Sequence, residues 1–204
     1  RNVYTGVART RKRAIDSRII ARLYRLDLKD DPALALARDL FVFSYCTRGM
    51  AFVDIAFLRK TDLRDGVIRY VRRKTGQPLS IRIEPGVEAI VARYEAATAG
   101  VPYVFPILTT GEAGEAYRQY QAALGRHNRL LGRLSQLLRA ECRFTSYTPR
   151  HSWATAARDC NVPIAVISAG LGHTSERTTQ IYLAMLENSV IDRANRAVIG
   201  LLER

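Results

Sequence analysis

Read as a pattern of apolar and polar positions, the chain is dominated by the 3.6-residue period of helices. The segment "AIDSRIIARLYRLDL" (14–28) sets Ile19, Ile20, Leu23 and Leu26 on one face and predicts a helix, and Asp31-Pro32 opens a second over "PALALARDLFVFSYCT" (32–47). Proline suits a first helical turn, where its missing N–H is not needed. This second segment is apolar enough to predict a helix at the centre of the core. "GMAFVDIAFLRKTDLRDG" (49–66) continues as a short helix and a turn. The period then drops to two: "VIRYVRRKTGQPLSIRI" (67–83) holds two alternating runs around Lys74-Thr75-Gly76-Gln77-Pro78 and predicts a β-hairpin. From Gly86 the helical pattern returns in "GVEAIVARYEAAT" (86–98), followed by a loop with Tyr103, Phe105 and Pro106 and a long helical stretch over 114–140. Gly125 and Gly132 argue against one straight helix there. The last third predicts four short helices, over 149–160, 163–169, 175–183 and 187–202. Thr148 stands as an N-cap with Pro149 at the first helical position, and Gly170 as a C-terminal stop. The expected fold class is mostly α with one small antiparallel β-hairpin, in a single domain spanning 1–204 or one with two unequal lobes.

Charge narrows the range of partners. Thirty-two basic residues against nineteen acidic ones give +13, and only Lys12, Lys29, Lys60 and Lys74 are lysines. Such an excess points to a polyanion, and arginine's planar fork of donors suits phosphate oxygens. A GC-rich genome raises arginine as well. The three cysteines, Cys46, Cys142 and Cys160, are scattered and have no metal-ligand spacing, so neither a disulfide framework nor a metal site is expected and a reducing cytoplasm fits. No apolar run reaches the roughly 18 residues of a membrane span. The basic N-terminal segment (1–15) has no apolar core of a signal peptide, and a chain starting on Arg1 is expected to be cut from something longer.

The chemistry-bearing residues gather in the last third, where Tyr147, Arg150, His173 and Tyr182 follow one another at spacings of 3, 23 and 9. Upstream, Arg48 follows an apolar helix and Lys74 sits at the hairpin turn. Each has a plain structural reading when taken singly: a solvated turn lysine, a hydrogen-bonded histidine, one of ten tyrosines. Together, "CTRGMAFVDIAFL", "RRKTGQ", "YTPRHSWAT" and "GHTSERTTQIYLA" resemble, in order, the boxes of the tyrosine site-specific recombinases, the phage integrase family, with the flavour of mobile elements of Bacteroides-type anaerobes. The resemblance runs from about Leu34 to Tyr182.

That resemblance implies the catalytic-domain fold of the family and a nucleophile, Tyr182. Its hydroxyl would displace a 5'-hydroxyl from a phosphodiester and become a 3'-phosphotyrosine, so the bond energy is kept without metal or ATP and no cofactor is implied. Arg48 and Arg150 would stabilise the charge of the pentacoordinate phosphate. Lys74 would protonate the departing oxygen, which an arginine with its far higher pKa does poorly. His173 would hydrogen-bond the scissile phosphate. Two positions depart from the family pattern. Tyr147 stands where the box usually has histidine; a phenol donates a hydrogen bond but titrates too high for an easy general base. The acidic residue that normally follows the first arginine at three positions is here Asp54, at six from Arg48. Either a local insertion restores the alignment and Asp54 orients Arg48 or caps a helix, or the arginine position falls on Ala51 and Arg48 reaches in from a turn earlier.

Arg69, Arg72, Arg73 and Arg177 are expected either to contact backbone phosphates or to form a solvated basic face. His151 is out of register with the histidine box and is expected to pack near Trp153. The implied partners are double-stranded DNA, a homo-tetramer on paired sites with the 187–202 helix donated between protomers, and accessory DNA-bending or directionality factors, with no membrane. By that resemblance the chain is expected to begin near where the N-terminal core-binding domain of full-length relatives would end. Three other classes fit part of the pattern: a type IB topoisomerase, which shares the chemistry; a non-catalytic DNA-binding module with a decayed constellation; and an RNA-binding or ribosomal component, which explains the charge but not the order of the boxes.

Overall fold

The protein is described here by a computed structural model over residues 14–173. Tyr182, Arg177, the two helices expected over 175–183 and 187–202, and residues 1–13 of the basic N-terminal segment lie outside the described residues. In chain order the elements are α1 (Ser17–Tyr24), α2 (Pro32–Cys46), α3 (Phe52–Ala56), β1 (Leu63–Arg64), β2 (Val67–Val71), β3 (Pro78–Arg82), α4 (Pro85–Ala92), α5 (Ala113–Leu137), α6 (Thr148–Asp159) and α7 (Ile164–Leu171), with short 3-10 turns at Lys60–Asp62 and Ala96–Thr98. No helix among the described residues is long and apolar enough to cross a membrane.

The α2 helix is buried on most sides because two cores share it. On one side Leu34, Ala37 and Phe41 meet Ile20 and Leu23 of α1, Leu131, Leu134 and Leu138 of the α5 region, and Phe144. On the other, Leu40, Val42 and Phe43 meet Ile55 and Leu58, the inward residues Ile68 and Ile81 of the hairpin, Val87 and Ile90 of α4, and Phe105. Phe43 and Phe105 pack edge to face at 4.8 Å, the geometry favoured by aromatic quadrupoles. Asp31 caps α2 by accepting the Leu34 N–H at 3.0 Å, with Pro32 in the first turn as the sequence predicts.

Four local expectations change. The hairpin gains a third strand, β1, giving an antiparallel sheet in the order β1-β2-β3. Arg64 pairs with Val67, so β1 and β2 are joined by the two-residue turn Asp65-Gly66, both with positive φ (54° and 70°). An Asp-Gly pair is the residue choice such a turn requires. Next, α5 runs unbroken through Gly125 and Gly132. Packing overrides a propensity cost of about 1 kcal/mol per glycine, and Gly132 is used: a Cβ there would stand 3.0 Å from Nε of Arg143, whose side chain closes over the helix. Thr148 is the first residue of α6 rather than its cap; its hydroxyl accepts from the Thr145 N–H at 2.9 Å and Tyr147 takes the capping position. Finally, α7 passes through Gly170 and stops at Gly172, which has φ 63°.

Candidate active site

Around Arg150 the fold brings together four segments far apart in sequence, each arriving through a defined turn. The first is the end of α2. Thr47 donates its hydroxyl to the Phe43 carbonyl at 2.7 Å, and the chain then turns through two successive left-handed residues, Arg48 (φ 58°) and Gly49 (φ 72°). Left-handed backbone is unfavourable for a residue with a Cβ, so Arg48 is held there by its surroundings. Gly49 cannot be replaced without movement: a Cβ would lie 2.6 Å from Cα of Arg150. The Gly49 N–H donates to the Ser44 carbonyl at 2.7 Å and the Ser44 hydroxyl to the Met50 carbonyl at 2.7 Å, which fixes the turn on both sides.

The second segment is the start of α6. Arg150 is only 4% exposed, and its guanidinium donates through Nη1 to the Gly49 carbonyl at 3.0 Å and through Nη2 to the Leu171 carbonyl at 2.5 Å. A buried guanidinium needs such partners, and these two main-chain oxygens set its plane.

The third segment is the end of α7. Gly172 donates to the Ala169 carbonyl and His173 to the Ser168 carbonyl, each at 3.0 Å, the Schellman pairing that ends a helix on a left-handed glycine. Gly170, inside the helix, lets Trp153 of α6 and the Arg48 stem approach: a Cβ there would stand 2.9 Å from the Trp153 ring and 3.7 Å from Cδ of Arg48. His173 is thereby half-buried beside the cations. Burial first, then the charges of Arg150, Arg72 and Lys74, pull its pKa down to about 4, so the free protein holds it as a neutral imidazole at pH 7.

The fourth segment is the β2-β3 hairpin. Lys74 is exposed at the tip of the turn that Arg72 and Gln77 close, the Arg72 N–H donating to the Gln77 carbonyl at 2.8 Å. Asp54, in the first turn of α3, accepts the Arg73 N–H at 2.9 Å. Burial raises the Asp54 carboxyl above its usual range against the opposing pull of that hydrogen bond and of Arg72, Arg150 and Arg73. Through that hydrogen bond Asp54 holds the hairpin, and no side chain caps the start of α3, whose N-cap is Ala51.

Arg48, Lys74, Arg150, His173 and Asp54 thus share one region, and Tyr147 stands at its edge, 51% exposed ahead of α6. The arginines expected to face phosphates separate. Arg69 is exposed on β2 and near Asp65. Arg73 is exposed with its guanidinium 3.9 Å over the Phe57 ring. Arg72 is not on a solvated face: it is 7% exposed and donates through Nη1 to the Gly172 carbonyl at 2.5 Å. Two residues of this region escaped sequence reasoning in that setting, Arg72 as a buried group and Tyr70. Burial first, and then the charge of Asp54, raise the Tyr70 phenol above its ordinary range against the pull of Arg150, Arg72 and Arg48, so it remains a protonated hydrogen-bond donor. The alternation of β2 carried the signal, since Ile68, Tyr70 and Arg72 have one parity and Arg69, Val71 and Arg73 the other. Among the described residues no cluster of histidine, cysteine and carboxylate side chains is arranged to hold a metal.

No family model matches the sequence, and no curated protein does. Solved structures do. XerA recombinase is similar with a TM-score of 0.64 at 17% identity, over 90% of this chain and 62% of that one. XerH site-specific recombinase, bound to a palindromic difH substrate after cleavage, is similar with a TM-score of 0.63 at 18% identity, over 87% of this chain and 50% of that one. The Tn1549 transposon integrase, in complex with transposon right end DNA, is similar with a TM-score of 0.59 at 14% identity, over 92% of this chain and 64% of that one. The chain therefore spans about half to two thirds of the length of these proteins. The helices packed around α2, the three-stranded antiparallel sheet and the order of elements together are the fold of the tyrosine recombinase catalytic domain.

Proposed function

We propose that the chain is the DNA-cleaving and rejoining domain of a site-specific recombinase that works through a 3'-phosphotyrosine, in the service of integrating or excising a mobile element of the Bacteroides-type branch. The observation that carries this reading is the setting of Arg150. Its guanidinium is held by main-chain oxygens of the Arg48-Gly49 turn and of the α7 end that presents His173, so three boxes distant in sequence meet on one cation. The recombinase fold and the DNA carried by the XerH and Tn1549 neighbours support the same reading.

In this reading the Tyr182 hydroxyl attacks the phosphorus and releases its proton to solvent, the P–O5' bond breaks, and the new bond is a phosphotyrosine ester. Attack by the freed 5'-hydroxyl of a partner strand reverses the step. Arg48 and Arg150 bind the non-bridging oxygens, whose charge rises in the transition state. Neutral His173 donates its ring N–H to a phosphate oxygen, Lys74 gives a proton to O5', and Tyr147 supplies a phenol donor at the edge of the site. Asp54 supports the hairpin. Arg69, Arg73 and Arg177 bind backbone phosphates, which adds affinity without reading sequence. The working assembly is a homo-tetramer on two DNA sites, joined through the 187–202 helix and assisted by accessory DNA-bending or directionality factors.

The test uses nicked suicide duplexes drawn from candidate attachment sites. A covalent protein–DNA adduct is expected on a denaturing gel with the wild-type chain and is expected to vanish in Tyr182→Phe. An adduct that survives in Tyr182→Phe moves the nucleophile elsewhere. Binding without any adduct, on a site confirmed independently, makes the chain a DNA-binding module.

A further inference from the structure

We infer that Arg72 is a positioning residue: a buried strut that ties the Lys74 turn to the peptide leading into His173, and so sets the proton donor in register with the phosphate-binding groups. The inference rests on the recombinase reading above.

Three observations meet on this side chain. Its main chain closes the turn: the Arg72 N–H donates to the Gln77 carbonyl at 2.8 Å, and the Arg72 carbonyl accepts from Gly76 at 2.8 Å and Thr75 at 3.3 Å. Its guanidinium leaves the hairpin and donates to the Gly172 carbonyl, the oxygen of the peptide bonded to His173. The neighbouring Leu171 carbonyl is taken by Arg150. The last carbonyls of a helix have no partner within it and carry its negative end, so two consecutive carbonyls where α7 ends, Leu171 and the capping Gly172, hold two cations side by side.

Contact between the two segments is close elsewhere too. A Cβ on Gly172 would stand 2.9 Å from Cδ1 of Leu79 and 3.3 Å from Oε1 of Gln77, so β3 and the turn rest directly on the α7 end. From the opposite side Asp54 holds the amide of the next residue, Arg73. The hairpin is thus pinned at adjacent residues, one to α3 and one to α7, with Lys74 the first residue beyond the pins. Buried as it is, Arg72 makes its contribution without touching DNA.

The experiment compares Arg72→Met and Arg72→Lys with wild type and Lys74→Ala. It measures DNA affinity across a salt series and adduct formation at saturating DNA, on ordinary duplexes and on duplexes with sulfur in place of the bridging 5'-oxygen. A thiolate leaves without a proton, so that substrate bypasses the donor. Arg72→Met is expected to cleave the ordinary substrate about 10- to 100-fold more slowly, the scale of a misplaced catalytic group. Its affinity and salt slope should be unchanged, most of the defect should be recovered on the sulfur substrate as for Lys74→Ala, and Arg72→Lys should lie in between.

A weakened, less salt-sensitive affinity with normal cleavage at saturation would make Arg72 a phosphate contact and overturn the strut. So would a cleavage defect that the sulfur substrate leaves in full. A third readout does not depend on catalysis: in labelled free protein, removing the Arg72 charge should raise the pKa of the His173 ring in Arg72→Met. An unmoved His173 titration in a folded variant counts against the strut, whereas absence of wild-type adduct on every substrate, with the His173 shift present, counts against the recombinase reading alone.

Discussion

The half of the molecule built on α1, α2 and α5 and the half built on the Arg48 turn, the hairpin, α6 and α7 are held by different forces. In the first, Leu23, Phe41, Leu131, Leu134 and Phe144 are completely buried against one another, and stability follows the apolar area removed from water. In the second, the buried groups include Arg72, Arg150, Asp54, Thr148, Ser152 and Ser168. Position there is set by side chains bonded to main-chain atoms of other segments, as Arg150 bonds to Gly49 and Leu171 and Arg72 to Gly172. Hydrophobic contact is tolerant of direction, whereas a hydrogen bond specifies it. The first region therefore provides a platform and the second a geometry.

That contrast has measurable consequences beyond loss of the adduct in Tyr182→Phe and the Arg72 series. The largest expected stability effect lies in the apolar half. Leu131→Ala should cost about 2–5 kcal/mol in denaturant unfolding while leaving adduct formation per folded molecule at the wild-type rate. If the rate falls in step with stability, the two regions are not separable.

Gly49→Ala tests the other half. The left-handed backbone and the 2.6 Å approach to Arg150 should together cost about 2–4 kcal/mol. Here adduct formation should fall even in the folded fraction, because Arg150 has to move. Normal cleavage by folded Gly49→Ala would show that the turn does not position Arg150.

The smallest effect concerns acid. His127 is buried on α5 and stacked at 4.5 Å on Phe52, and burial pulls its pKa down to about 3. The unfolded chain takes up that proton near pH 6.5 and the folded one does not, so the term is absent well above pH 6.5 and grows as pH falls toward the folded pKa. It should reach about 1.4 kcal/mol of lost stability by pH 5.5. His173, lowered to about 4, acts in the same direction, and Asp54, whose carboxyl is raised, acts in the opposite one. Unfolding from pH 7.5 to 5.5 should therefore be less acid-sensitive in His127→Phe than in wild type. An unchanged pH slope would assign the acid response to the site half alone.

Much of the platform is legible in the chain itself. Apolar periodicity places α1, α2, α4, α6 and α7 within a few residues, because burial of one helical face writes itself on the sequence at 3.6-residue spacing. The hairpin is legible from its alternation and its Lys-Thr-Gly turn. Its third strand was not, although Asp65-Gly66 announced the turn, since two paired residues leave no period to read. Glycines mislead in one direction: Gly125 and Gly132 suggest interruption of α5 and Gly170 a helix stop, yet α5 and α7 both run through them and Gly170 makes room for Trp153 and Arg48. What a missing side chain makes room for lies on another segment, and no local pattern records it.

The candidate site divides the same way. Residue types and their order, arginine, lysine, arginine, histidine and tyrosine in four boxes, were determined by the sequence alone, and in the reading proposed above the chemistry of a phosphodiester restricts which side chains serve. Tertiary structure decided which of them face one another. It placed Asp54 on the hairpin amide of Arg73, and it turned Arg72 inward while Arg69 and Arg73 stayed out. The reason is physical: a buried cation settles where main-chain oxygens converge, and the Gly49, Leu171 and Gly172 carbonyls come within its reach only when the chain has folded.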